Sequence, residues 1–314
     1  MEKKKALITG VRGFVGQQLS SHLERQGWEV CGTDVAGEDD ARFQQCELRN
    51  FEDLKALLHW AGPITHVFHL AAITFVPDSL NDPNTTFEIN MGGTVNLSRA
   101  MIETCHQARL IFIGSSESYG PPTYLPQDEA HPLNPQNPYA ISKAAADQYC
   151  AHVSKQGSLD IIRMRPYNHS GPGQTDRFVL SSFARQMAEI ALGQREPVLH
   201  VGNLDVARDF SHVEDVIRAY EFAALRGTPG EAYNVCSGKA TTLMEAITLL
   251  RGMLEVDVHI EIDPDCFRHA EIPEIRGSYE KLKTSTDWQP MKSFEVLMQD
   301  LFTYWKTHLQ NESE

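Results

Sequence analysis

Short apolar runs alternate with stretches of helical periodicity through the first half of the chain. The runs ALIT (6–9), EVCGT (29–33), HVFHLA (66–71), RLIFIGS (109–115) and LDIIRMR (159–165) are apolar almost throughout, as strands buried on both faces must be, and residues 43–48 form a weaker candidate. Between them apolar positions recur every three or four residues, which predicts helices near 14–26, 51–60, 85–107 and 137–156. Inside the last of these, Ala144, Ala145 and Ala146 mark a closely packed stretch. Strand–helix alternation of this kind predicts an α/β chain with a doubly wound parallel sheet. The pattern breaks after Pro166, where YNHSGPGQTDR (167–177) reads as a glycine- and proline-bearing loop. Helices are expected near 178–192, 213–226, 242–254 and 293–309, and YNVCSG (233–238) reads as one more buried strand. The expected division is a sheet domain over 1–166, completed by a strand near 231–237, and a smaller, mostly helical substrate-binding domain over 167–314 interleaved with it.

Composition narrows the class. The 314 residues are 41% hydrophobic and 22% charged, enough apolar material for a packed core and too much for a disordered chain. With 28 basic against 42 acidic residues the net charge is −14, which argues against nucleic acid or an anionic membrane surface as a partner. No apolar run reaches the ~18 residues of a membrane span, and the five-residue apolar stretch in MEKKKALITG is too short for a signal peptide. Cys31, Cys46, Cys105, Cys150, Cys236 and Cys266 are scattered without a CxxC pair, as buried thiols in a reducing compartment are, and a cytoplasmic protein is expected. The thirteen histidines show no HxxxH or HExxH spacing, so no metal is expected.

The first strand runs into Gly10-Val11-Arg12-Gly13-Phe14-Val15-Gly16, which opens the first helix. Glycines there permit a tight turn and close approach of backbone to a pyrophosphate, while the helix N-terminus offers free N–H groups. This is a dinucleotide-binding turn, and the sheet is therefore expected to be Rossmann-like. Asp34 follows the second strand, where a carboxylate accepts from the adenosine ribose hydroxyls and repels a 2′-phosphate. NAD(H) is favoured on that ground, with NADP(H) the alternative because Arg12 sits in the turn. Farther on, Tyr139 and Lys143 stand at i and i+4 on one helix face. A neighbouring ammonium is expected to lower the tyrosine pKa and let the phenol exchange a proton with a substrate oxygen while a nicotinamide exchanges hydride. Ser115 ends the strand between the two motifs.

These segments resemble the extended short-chain dehydrogenase/reductase family of nucleotide-sugar epimerases, dehydratases and reductases. The resemblance covers essentially the whole chain and rests on GVRGFVG, HLAA (69–72), NMGGT (90–94), GSSESYG (114–120), NPYAISK (137–143) and RPYNHSGPGQ (165–174). Within the family, VGNLDVARDF (201–210) and FRHAEIP (267–273) are similar to the GDP-mannose branch, and the chain length, the GPGQ turn and YNVCSG to its reductases. The resemblance implies Ser115, Glu117, Tyr139 and Lys143 as catalytic. It implies a cofactor site of Gly10, Arg12, Gly13, Phe14, Val15, Gly16, Asp34, Leu48, Leu70, Ala71 and Ala72 with Tyr139 and Lys143. It also implies a GDP-sugar site of Ser115, Asn168, Arg208, Arg268 and Glu271. In the dehydratases the acid at the position of Glu117 removes a proton beside a keto group; in a reductase it is a pocket acid. The family usually has proline after the arginine at 268, where this chain has His269. The implied reaction is reduction of the C4 ketone of a GDP-6-deoxyhexose. A dehydratase or epimerase is the alternative, as is, from another class, a non-catalytic NAD(P) sensor. The helices near 85–107 and 137–156 resemble those that pair family members as homodimers.

Overall fold

The protein is described by a computed structural model over residues 4–263 and 272–312. The chain opens as β1 (Lys5–Thr9), α1 (Phe14–Arg25), β2 (Glu29–Thr33), α2 (Phe51–Ala61) and β3 (His66–His69). Two short helices, α3 (Val76–Asn81) and α4 (Pro83–Phe87), lead through a π-turn at Glu88–Gly92 into α5 (Gly93–Thr104). Then come β4 (Arg109–Ile113), α6 (Pro138–Lys155), β5 (Ile161–Pro166), β6 (Asn168–Ser170) and α7 (Val179–Ala191). The rest of the chain is β7 (Val198–Val201), β8 (Ala207–His212), α8 (Val213–Arg226), β9 (Ala232–Val235), β10 (Ala240–Thr242), α9 (Leu243–Arg251), β11 (His259–Ile262), β12 (Glu274–Ile275), α10 (Glu280–Thr286) and α11 (Phe294–Glu312).

A parallel sheet of six strands runs in the order β2-β1-β3-β4-β5-β9. From β1 the chain passes out to β2 on one side and then back to β3 on the other, so the carboxyl ends of β1 and β3 flank a crevice where strand order switches. Both faces of the sheet are covered. Leu19 and Leu23 of α1 meet Val216, Ile217 and Tyr220 of α8 on one face, while Leu54 and Leu57 of α2, Leu97 and Met101 of α5 and Ala146 of α6 cover the other. Each such leucine or isoleucine, fully withdrawn from water, contributes about 1.5–3 kcal/mol. A further core joins α7, α9 and α11 through Phe183, Met187, Ile247, Leu301 and Trp305.

Residues 43–48 do not form a ladder strand. They lie along β2, with Gly32 N donating to Arg42 O at 2.8 Å and Gln44 N to Gly32 O at 3.1 Å, but only Phe43 bridges to it. The carboxylates of Asp39 and Asp40 capture the N–H groups of Gln45, Arg42 and Phe43, in competition with strand pairing. Helices outweigh strands beyond residue 167, yet the segment also holds short strands that the pattern does not predict: β8 pairs with β6, β10 and β12, and β7 with β11. Segments such as ATT and HIEI are too short and polar to announce themselves. Among the described residues, no helix is long and apolar enough to cross a membrane.

Candidate active site

The glycine turn is built by close packing. Gly10 has φ 71°, and a Cβ there would stand 2.8 Å from the Ala71 nitrogen, so β1's turn rests directly on the segment leaving β3. A Cβ on Gly16 would stand 2.1 Å from the Gly10 carbonyl oxygen, which excludes any larger residue. Gly13 caps α1 without a side-chain hydrogen bond, and no acidic residue occupies the first turn. Phe14, Val15 and Gly16 thus carry the N–H groups that a helix start leaves without intrahelical partners, at the positive end of the helix dipole, a donor set that fits a pyrophosphate.

At the end of β2, Asp34 accepts from Arg12 N at 3.2 Å and from Val35 N at 2.8 Å. The exposed Arg12 guanidinium stacks on Phe43 at 4.2 Å and fills the space beside Gly37. The Asp34 carboxylate is thus held on the backbone of the glycine turn, while the Arg12 guanidinium is turned to Phe43 and Gly37. Leu70 N and Ala71 N donate to the Thr9 carbonyl and hydroxyl, and Ala72 is half-buried beyond them. The Leu48 side chain lies in the core against Gly93 rather than in the crevice.

Ser115, Tyr139 and Glu117 converge at the carboxyl end of β4. Ser115 caps a 3₁₀ turn over Ser116–Tyr119, its hydroxyl accepting from Glu117 N at 3.1 Å, and it is near enough to the Tyr139 phenol to favour the phenol's ionised form. Asn137, the N-cap of α6, accepts from Ala140 N and reaches Glu117 Oε2 with its amide at 3.4 Å. Lys143 is buried; its ammonium donates to the Ile113 carbonyl at 2.7 Å. The expectation that Lys143 lowers the tyrosine pKa is not met. Burial pushes the Tyr139 phenol up to about 12, against the pull of the Ser115 hydroxyl and with the Glu117 charge adding to the rise. Burial likewise brings the Lys143 ammonium down to about 8.

A chain of buried groups beneath this site escapes sequence reading. Ala71 N donates to Thr9 Oγ1 (3.2 Å), and Thr94 Oγ1 donates to the Asn90 carbonyl (2.6 Å). Between the two hydroxyls sits the His69 ring, 2.8 Å from Thr9 at Nδ1 and 3.0 Å from Thr94 at Nε2. With the Thr94 proton committed to Asn90, Nε2 carries the ring proton and Nδ1 accepts from Thr9. Burial, with Lys143 nearby, lowers His69 to about 3, so the ring is neutral. Asn90, in the π-turn, grips both Ile73 backbone groups and donates to Ser142 Oγ of α6 at 3.0 Å. The path ties β1 and the segment after β3 to the helix carrying Tyr139 and Lys143. NMGGT and HLAA contain these residues; only their partners reveal the path.

On the far side of the crevice, Asn168 is exposed on β6 and His169 is held by the Tyr167 carbonyl at 3.0 Å. Arg208, half-buried on β8, donates to the backbone carbonyls of Ala207 and Ile272 through Nη1. Next to it the buried Asp209 accepts from Ser237 N, Ser237 Oγ, Gly238 N and Gly277 N at 2.6–3.2 Å, bracing β8 against two loops. Arg268 and Glu271 lie outside the described residues, as does Cys266; the five described cysteines are free thiols.

Comparison with known proteins is consistent along the whole chain. A family model for GDP-mannose 4,6 dehydratase matches residues 7–301. A GDP-6-deoxy-D-mannose reductase of Pseudomonas aeruginosa is 34% identical, with 98% of this chain and 99% of the relative covered. GDP-mannose 4,6 dehydratase 2 of Arabidopsis thaliana is 28% identical, covering 94% and 85%. Among solved structures, RMD from Pseudomonas aeruginosa complexed with NADPH matches with a TM-score of 0.87 at 33% identity, over 98% of this chain and 100% of that one. A Thermus thermophilus UDP-glucose 4-epimerase in complex with NAD matches with a TM-score of 0.83 at 25% identity, over 96% and 99%.

Proposed function

The chain belongs to the GDP-mannose 4,6-dehydratase family, and from that premise we propose that it is a reductase, converting the C4 ketone of GDP-4-keto-6-deoxy-D-mannose to the alcohol of GDP-D-rhamnose or a related GDP-6-deoxyhexose. The observation that carries this reading is the end-to-end match to a reductase, 34% identical with 98% and 99% of the two chains covered. The site chemistry supports it. A nicotinamide dinucleotide held at the glycine turn supplies hydride. Tyr139, kept neutral at pH 7 by its raised pKa, is a proton donor to the developing C4 oxygen, as ketone reduction requires. Ser115 polarises the same oxygen by hydrogen bonding, and the cationic Lys143 stabilises negative charge that builds on the phenol as its proton leaves. Asn168 and Arg208, with Arg268 and Glu271, are the residues proposed for the GDP-sugar.

Glu117 favours a second reading. Its carboxylate is close enough to Tyr139 to raise the phenol pKa, where an acid could take the proton beside a keto group, as dehydration demands. Dehydration, however, opens by oxidising an alcohol, for which Tyr139 would have to be phenolate, and burial opposes that form. For the cofactor, the Asp34 carboxylate favours NADH, and the adjacent Arg12 admits NADPH. Pairing of two copies through α5 and α6 is proposed for the assembly, with Ile141 left 42% exposed on α6. The test is the absorbance of NADH and, separately, NADPH with GDP-4-keto-6-deoxymannose: one reduced cofactor should be oxidised per ketone lost, and no loss of absorbance with either donor would overturn the reading.

A further inference from the structure

The cofactor side and the substrate side of the crevice are tied by one side chain. Gln18 is on α1, one turn in from the glycine motif, and its Nε2 donates to the Pro172 carbonyl at 3.1 Å. The next residue, Gly173, has φ 91°; a Cβ there would stand 3.8 Å from Phe14 Cδ2 and 3.9 Å from Gln18 Nε2. The turn Gly171–Gln174, closed by Gln174 N donating to the Gly171 carbonyl at 3.2 Å, therefore rests on the first turns of α1. Its other side is held from within the substrate half. Gln174 Nε2 donates to the His169 carbonyl at 3.1 Å, its Oε1 accepts from Ser170, and its carbonyl accepts from Ser181 Oγ at 2.7 Å. Ser181 in turn accepts from Trp305 Nε1 at 2.9 Å. A connected path thus runs from the N-terminal end of α1, through Gln18 and the turn, to β6 with Asn168 and to α7 and α11.

We propose that Gln18 is a positioning residue that couples the two ligands: a dinucleotide seated on the N-terminus of α1 fixes Gln18, and through Pro172 fixes the Gly171–Gln174 turn and Asn168 in the geometry the nucleotide sugar needs. This rests on the functional reading above, which places dinucleotide at α1 and nucleotide sugar at β6. Coupling of this kind is reciprocal, so each ligand tightens the other.

The test is the dissociation constant of GDP, by calorimetry, with and without saturating NADH, in the wild type, Gln18→Met and Gln18→Ala. In the wild type NADH should tighten GDP about fivefold, the scale of one net hydrogen bond. In both variants that ratio should fall to within about twofold of unity while NADH alone binds as in the wild type, and KM for the nucleotide sugar should rise about fivefold at unchanged kcat. A wild-type ratio of one, or variants that keep the wild-type ratio, overturns the coupling. Failure of GDP to bind the wild type at all removes the nucleotide-sugar reading, and the coupling with it.

Discussion

Tyr139 and Lys143 share a helix face, yet their polar ends turn to different partners: the phenol to Ser115, the ammonium to the Ile113 carbonyl. The pH dependence follows. Cationic Lys143 titrates near 8 while the phenol stays protonated, so kcat/KM for reduction should fall as pH rises through about 8; a flat profile to pH 9 would contradict this. Tyr139→Phe should lose at least ~10²-fold in kcat, because its proton route is gone. Glu117→Gln should retain kcat within ~10-fold, a change of about 1.4 kcal/mol, whereas a working base would be nearly abolished. Asp34 and Arg12, the residues proposed to read the cofactor's ribose, give a cofactor test. Asp34→Ala should lower kcat/KM with NADH more than with NADPH, and Arg12→Ala the reverse, about tenfold in each case. Equal effects on both donors would refute that division of labour. The i, i+4 spacing and the glycine motif are plain in the sequence, but the direction of the Tyr139 shift is not. It depends on how deeply α6 is covered, which is settled by residues distant in the chain.

At the level of elements, the π-turn and β3 act together through His69. Its folded pKa near 3 lies below the ordinary 6.5, so between those values the unfolded chain binds more protons and stability falls as pH falls. His69→Gln, which keeps one donor and one acceptor, should soften the loss of stability between pH 6.5 and 4, read by urea unfolding. His69→Leu should cost about 2 kcal/mol or more at pH 7, since the Thr9 and Thr94 hydroxyls lose their ring partner inside the core. An equal acid slope in the wild type and His69→Gln would remove His69 from this account. The buried strands of the large sheet are legible because parallel strands covered on both faces are continuous apolar runs. Residues 43–48 are not, because Asp39 and Asp40 take the N–H groups a ladder would use, and neither is the π-turn, where the predicted helix over 85–107 is interrupted after Pro83–Phe87.

For the whole molecule, the chain returns to the large sheet through β9, Ala232–Val235, beside β5, so the small sheet around β8 and the core of α7, α9 and α11 are built from segments on both sides of that return. The YNVCSG run hints at that return; the small sheet around β8 gives no such hint, because its strands pair with partners far along the chain. Pairing through α5 and α6 predicts a dimer mass by light scattering at micromolar concentration, and Ile141→Glu, which puts a charge on the paired face, should yield a monomer. A wild-type monomer would discard that surface. The central claim concerns the fate of hydride. GDP-4-keto-6-deoxymannose incubated with NADH deuterated at both C4 positions should give, by NMR, a GDP-6-deoxyhexose carrying deuterium at C4, one equivalent for each cofactor oxidised. Formation of the 4-keto sugar from GDP-mannose with no net cofactor consumed, and no deuterium at C4 of any product, would contradict it.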